Sequence, residues 1–261
     1  MKNEVPRLQS RLLALPSGAQ AQAEGAKASK NLLPRDYYNL VAIATIRTDF
    51  PTKFGVPRQS GLVRGLKGRI VFEPEYRDPE ALRGLELFSH IWLLWDFSEA
   101  RREGGKWRPT VRPPRLGGNR RMGVWATRSP FRPNNIGLSS VRIIGIDLHT
   151  SEGPIIEVEG ADLMDGTPIF DIKPYLPFTD SHPDANGSLD PQNVGVEISI
   201  VNFQLSILEA FDAEHLEALR EILRSDPRPH YHDDPDRIYV MLFAGREVKF
   251  RVREDEIEAW V

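Results

Sequence analysis

Short apolar runs with a period of two, cut by glycine and proline, dominate the first two thirds of the chain. Asn39 to Thr48 (NLVAIATIRT) is rich in β-branched residues and predicts a strand. Phe54 to Gly68 holds four glycines and Pro57, so it predicts a loop, with a short strand from Lys67 to Glu73 at its end. Asp78-Pro79-Glu80 has the form of a helix start, cap then proline, and the helix is expected to end near Gly84 or Leu85. Phe88 to Phe97 (FSHIWLLWDF) is an apolar run of strand length, and residues 104–123, with five glycines and three prolines, are too irregular for a helix. Ile136 to Leu148, Pro154 to Gly160 and Ile169 to Ile172 complete the strand pattern.

The period changes after a polar run, HPDANGSLDPQN (182–193). Val194 to Asn202 predicts one more strand. Behind Asp212 as cap, Ala213 to Arg224 places Leu216, Leu219, Ile222 and Leu223 on one helical face, and Pro227 stops it. Arg237 to Phe243 and Glu247 to Arg253 flank Ala244-Gly245 as a hairpin, with Val248, Phe250 and Val252 facing one way and Lys249, Arg251 and Arg253 the other. Strands of uneven length joined by Gly/Pro turns predict a mainly β chain built on a closed antiparallel barrel or sandwich. The expected division is a mobile extension over 1–36, a β-barrel domain over 37–183, a linker over 184–192 and a smaller C-terminal α+β domain over 193–261.

Composition narrows the chemistry. The 261 residues contain no cysteine, which removes disulfides, thiolate nucleophiles, thiolate zinc sites and cysteine-held iron–sulfur clusters. The longest apolar run, Ile91 to Leu94 with its aromatic neighbours, is too short to cross a bilayer. Near the N-terminus, Pro16 interrupts the apolar patch Leu12 to Leu15, so no secretory signal is expected and the cytoplasm is the expected location.

Charge is unevenly placed. Eleven cations, ten of them Arg, lie between Arg101 and Arg142 against Glu103 alone, so that segment carries +10 in a chain of net charge −3. Trp107, Trp125 and Phe131 are interleaved with those arginines. Guanidinium forks beside aromatic rings suit phosphates and unpaired bases better than a duplex, so single-stranded or looped RNA is the expected partner. A solvated surface or pairing with the acidic remainder is the competing account.

Several common signals are missing. No G-x-G-x-x-G follows a strand, no phosphate-loop spacing surrounds Lys67, and no G-x-S-x-G elbow occurs. His230, His232, Asp233, Asp234 and Asp236 read as a polar loop and not a ligand set, so no metal is expected. His90, inside an apolar strand, reads as a core histidine.

Five ordered segments are dense in turn-forming, charged and aromatic residues: KFGVPRQSGL (53–62), LRGLELFSHIWLLWDF (82–97), RPTVRPPRLGG (108–118), GVWATRSPFRPNNIGLSS (123–140) and DLMDGTPIFDIKPYLPF (162–178). Together they resemble the TsaA-like, or TrmO, family, and DPRPHY (226–231) resembles the accessory domain of its bacterial branch. Asn135 and Ser60 stand where that family often has proline.

The resemblance implies a homodimeric tRNA methyltransferase that binds S-adenosylmethionine on a β-barrel. Its substrate would be tRNA carrying N6-threonylcarbamoyladenosine at position 37, and its product would bear an added N6-methyl group. The cofactor pocket it implies draws on Gln59, Ser60, Gly61, Phe97, Ser98, Arg128, Ser129, Leu138, Ser139, Asp165, Gly166 and Thr167. In that setting Arg128 suits a carboxylate, Asp165 ribose hydroxyls, and Phe97 an adenine or a sulfonium. Asp171 and Lys173, with Asp180, are the candidates for handling the proton. RNA contacts are expected from Arg108, Arg112, Arg115, Arg120, Arg121, Arg132, Arg228 and Tyr231, with Lys249, Arg251 and Arg253 adding to them. An RNA-binding barrel without catalysis, and a methyltransferase on another substrate, are the alternatives.

Overall fold

The computed structural model describes residues 39–100, 107–113, 120–185, 198–229, 232 and 234–261. The expected extension over 1–36, most of the linker, Arg115 and Tyr231 lie outside those residues. Eight strands come first: β1 (Ala44–Thr48), β2 (Lys67–Phe72), β3 (His90–Asp96), β4 (Thr110–Val111), β5 (Met122–Gly123), β6 (Ile136–Thr150), β7 (Gly153–Glu159) and β8 (Thr167–Pro174). They are followed by α1 (Pro177–Asp180), β9 (Ile200–Phe203), α2 (Leu205–Ala210), α3 (Ala213–Arg224), β10 (Tyr239–Phe243), β11 (Arg246–Arg253) and β12 (Glu256–Trp260).

Six strands close into a barrel in the order β1-β2-β7-β6-β3-β8, and every pairing in it is antiparallel. Alternation decides what fills it: Ile91, Leu93 and Trp95 of β3 turn inward and meet Ile46, Ile70, Val141, Ile156 and Ile169. Full burial of such a side chain stabilises by about 1.5–3 kcal/mol. The expected barrel is therefore present, with strand limits that differ. The first strand begins at Ala44 because Leu40 and Val41 remain exposed, short of the sheet. The predicted helix at Asp78 is a 3-10 turn, Pro79–Leu82; Asp78 does cap it, accepting from the Glu80 amide at 3.0 Å. Two more 3-10 turns, Pro74–Tyr76 and Leu85–Leu87, flank it.

The antiparallel order places the end of β1, the start of β2, the end of β3, the start of β6, the end of β7 and the start of β8 at one end of the barrel. Three connections leave from that end: 49–66, 97–135 and 160–166. The middle one carries the small ribbon β4–β5.

The second sheet has the order β10-β11-β12-β9, with β9 parallel to β12. Helix α3 is the predicted one, cap included: Asp212 accepts from the His215 amide at 2.9 Å, and Ala218, Leu219, Ile222 and Leu223 are buried. Leu216 is only partly buried. Residues of the β1–β2 connection, Phe50, Val63 and Leu66, share this second core, and Phe50 lies 5.4 Å from Phe243 between ring centroids.

Candidate functional site

The motif residues meet at the barrel end from which the three connections leave. Trp95, the last inward residue of β3, fits only because position 137 is glycine. A Cβ there would lie 2.2 Å from Trp95 Cε2. Seated this way, Trp95 donates its indole N–H to Ser139 Oγ at 2.9 Å and packs on Phe97 with centroids 4.1 Å apart. Ser139, buried on β6, donates in turn to Asp162 Oδ1 at 2.6 Å.

Asp162 is the residue that sequence reasoning missed. Burial pushes its carboxyl above the usual range, against the opposing pull of the Ser139 hydroxyl, its own amide, the Arg128 charge and the Ser60 amide. Arg128 donates to Gln59 Oε1 at 2.5 Å, and the Gly61 amide donates to the Gly160 carbonyl at 2.9 Å. Gln59, Ser60, Arg128, Ser139 and Phe97 are therefore joined through Trp95 and Asp162 into one polar cluster. The available signal was that Asp162 opens the segment DLMDG. The family resemblance pointed instead to Asp165, three residues on in the same segment.

Asp165 faces the end of β1. It accepts from the Thr48 amide at 3.1 Å and pairs with Arg47 at 3.5 Å. Gly166 donates its amide to the Ile46 carbonyl, and the Thr167 hydroxyl donates to the Met164 carbonyl at 2.8 Å. Gly61 and Gly166 both have positive φ, and nothing lies within 4 Å of where a Cβ would stand on either. Ser98 sits in a 3-10 turn after β3, and Ser129 accepts from the Phe131 amide at 3.3 Å.

Leu138, Asp171 and Lys173 stand apart from this cluster, on the outer wall. Leu138 and Asp171 are both cross-strand partners of Leu94, so their side chains share its outward row. Lys173 is paired to Asp171 at 2.8 Å, and that hydrogen bond raises the lysine's pKa. Asp180 accepts from Trp92 Nε1 at 2.8 Å and from the Leu176 amide at 2.9 Å, which holds its carboxyl below the usual range.

The expected RNA arginines divide in two. Arg108, Arg112, Arg120 and Arg121 are exposed on and beside the β4–β5 ribbon. Arg132 turns inward, donating to the Thr127 carbonyl at 2.6 Å and the Val124 carbonyl at 3.2 Å. Arg228 is held by Asp226 through Nε at 2.9 and 3.0 Å. Its carbonyl accepts from Arg58 at 3.1 Å, which ties DPRPHY to the loop carrying Gln59. Lys249, Arg251 and Arg253 are paired to Glu247, Glu258 and Asp236.

A second concavity, lined by Arg47, Asp49, Lys67, Arg69, Glu214 and His215, lies between the barrel end and α3. Its polar groups meet one another: Lys67 pairs with Glu214 at 2.6 Å, and His215 Nε2 lies 3.6 Å from Asp49. We read it as a packing seam.

Two family models cover this architecture. Residues 45–181 match the tRNA-methyltransferase O N-terminal domain, and residues 197–260 match the TrmO C-terminal domain. The chain belongs to the TrmO family. It is 43% identical over 225 residues to the tRNA (adenine(37)-N6)-methyltransferase of Escherichia coli (strain K12), covering 84% of this chain and 94% of that one. A human protein of the same name is 36% identical over 168 residues, which is 62% of this chain but 33% of that longer one. A crystal structure of TrmO superposes with a TM-score of 0.67 at 32% identity, covering 86% of this chain and 98% of that one. A crystal structure of TrmO from Pseudomonas aeruginosa gives 0.66 at 30% identity, covering 85% and 97%.

Proposed function

We propose that the protein is an S-adenosylmethionine-dependent methyltransferase that acts on N6 of threonylcarbamoyladenosine at tRNA position 37. The observation that carries this reading is the polar cluster at the barrel end, Gln59–Arg128 and Trp95–Ser139–Asp162, in a chain of this family. The donor set fits the cofactor. Arg128 is a guanidinium for its carboxylate, Asp162 and Asp165 are acceptors for ammonium or ribose hydroxyls, and Phe97, packed on the buried Trp95, supplies aromatic surface for a sulfonium. When bound, the cofactor supplies an electrophilic methyl group on a cationic leaving group.

The work left to the chain is alignment and proton handling. Asp162, half-buried and with its affinity for a proton raised by desolvation, is our candidate to hold a positive charge or to accept the N6 proton. Asp171 and Lys173 remain candidates for a role on the outer wall. The exposed arginines of the ribbon, with Arg115 and Tyr231 beyond the described residues, are proposed to hold the anticodon loop. We also propose a cytoplasmic homodimer.

In vitro transfer of a labelled methyl group to matched tRNA transcripts, with and without the threonylcarbamoyl group, tests the reading. Label is expected only in the decorated tRNA, and Arg128→Ala and Asp162→Asn are expected to reduce it at least tenfold. No transfer to the decorated tRNA, or equal transfer to both, overturns it.

A further inference from the structure

We propose that Trp107 and Trp125 form a stacking platform for one unpaired base of the RNA loop; the proposal rests on the tRNA reading above. Tryptophan carries the largest apolar surface of any side chain, and a soluble fold ordinarily covers most of it. Here two of them lie together in the open. Trp107 is 51% exposed and Trp125 64% exposed, with ring centroids 5.9 Å apart and planes inclined by 33°. Neither belongs to the core of the barrel or of the second sheet.

The rings are held in place from below. Trp125 sits in the 3-10 turn Val124–Ala126, anchored by a fully buried Val124. The Val124 amide donates to the Pro109 carbonyl at 2.9 Å, and the Thr127 hydroxyl donates to the Val124 carbonyl at 3.0 Å. Arg132, tied by its bonds to Val124 and Thr127, places its guanidinium 5.2 Å from the centre of the Trp125 ring. Ribbon pairing of Thr110 with Gly123 and of Val111 with Met122 brings Trp107 across to Trp125. Trp125 is thereby preorganised, so little of its ordering entropy is left to lose on binding.

Charge around the rings identifies the occupant. Arg108 follows Trp107 directly, Arg112, Arg120 and Arg121 stand exposed along the same ribbon, and none of the four forms an ion pair among the described residues. An acidic peptide would use the guanidinium groups but has no flat faces to set on indoles, and a duplex hides its base faces in the stack. An unpaired nucleotide uses both features at once. Location agrees: Trp125 precedes Arg128 by three residues, a reach of at most about 10 Å along the chain. The platform therefore stands beside the cluster assigned to the cofactor, where a base next to the target would rest.

The test measures binding of full-length, decorated tRNA to the full chain across a salt series, with Trp107→Ala, Trp125→Ala and the corresponding Phe variants. Cofactor binding without RNA serves as the fold control. Each Ala variant is expected to weaken tRNA binding by about 5- to 150-fold, the range for one stacked base. Phenylalanine is expected to restore most of it, and the slope of log affinity against log salt should stay at the wild-type value, because no phosphate contact is lost. The proposal is overturned if both Ala variants bind within twofold of wild type, if Phe is no better than Ala, or if the loss appears as a shallower slope. Should Trp125→Ala fail to fold, Trp107→Ala and the two Phe variants decide by the same criteria. A wild-type chain that neither binds nor methylates tRNA overturns the underlying reading and the platform with it. A wild type that does both while the variants match it overturns the platform alone.

Discussion

Two positions decide the site, and neither carries an obviously reactive side chain pattern in the sequence. Gly137 has room for a hydrogen only, because the Trp95 ring occupies the space of a Cβ. Gly137→Ala is expected to cost about 1–3 kcal/mol, as overpacking does. It should also break the Trp95–Ser139–Asp162 chain, so calorimetry should show weaker S-adenosylmethionine binding alongside a lower melting temperature. Asp162 makes a prediction with a sign. Its folded pKa is raised above 3.8, so the cost of burying its charge is present in full above the folded pKa and disappears as pH falls toward the unfolded value. Stability of the wild type relative to Asp162→Asn, followed by urea unfolding at each pH, should therefore decline as pH rises from 3.8 through the raised folded value. A wild type that gains on the variant over that range would mean its hydrogen bonds outweigh its burial.

Among elements, α3 behaves as its sequence says because its signals are local. A capping Asp212, an apolar stripe and a following proline act within a few residues of one another. Hydrogen bonds from the His215 amide and side chain hold the Asp212 carboxyl below its usual range. That stabilisation is present above the unfolded carboxylate pKa and is lost as pH falls through the lowered folded one. Asp212→Ala should thus lower the melting temperature by roughly 2–4 °C near neutrality, and the gap should narrow as pH falls through the lowered folded value. The ribbon is the opposite case. Two-residue strands give no period to read, so β4 and β5 are invisible in a segment that looks merely irregular. Strand β12 was equally hidden: EIEAW is short and half charged, and it is held by neighbours β11 and β9 that lie apart from one another in sequence. Arg120→Ala and Arg121→Ala on the ribbon should each flatten the salt dependence of tRNA binding by about 0.7 in log–log slope, the value for one phosphate contact to a single strand.

At the scale of the whole molecule, the barrel and the second sheet are joined through the β1–β2 connection. Phe50, Val63 and Leu66 leave the barrel end and are buried with α3 and β10–β12. Unfolding should therefore be one cooperative transition, seen alike by calorimetry and far-UV circular dichroism. Phe50→Ala should destabilise the whole of it by about 3–5 kcal/mol. Two separate transitions would show that the sheet folds independently of the connection.

Local pattern determined much of this protein. Alternation and Gly/Pro punctuation specified a mainly β chain, barrel or sandwich, the cap and stripe specified α3, and the arginine-rich segment with its tryptophans pointed to RNA. Ordered motifs named segments that the fold brings to one barrel end, where Arg128 bonds Gln59 and Ser139 bonds Asp162. Only the closed barrel decided which of these residues face one another. Strand register sends Ser139 inward and Leu138 outward, and closure of the sheet half-buries Asp162 against Ser139 while Asp165 stays exposed. Burial and contact between segments a hundred residues apart depend on register and closure, and these are properties of the assembled sheet that no single segment contains.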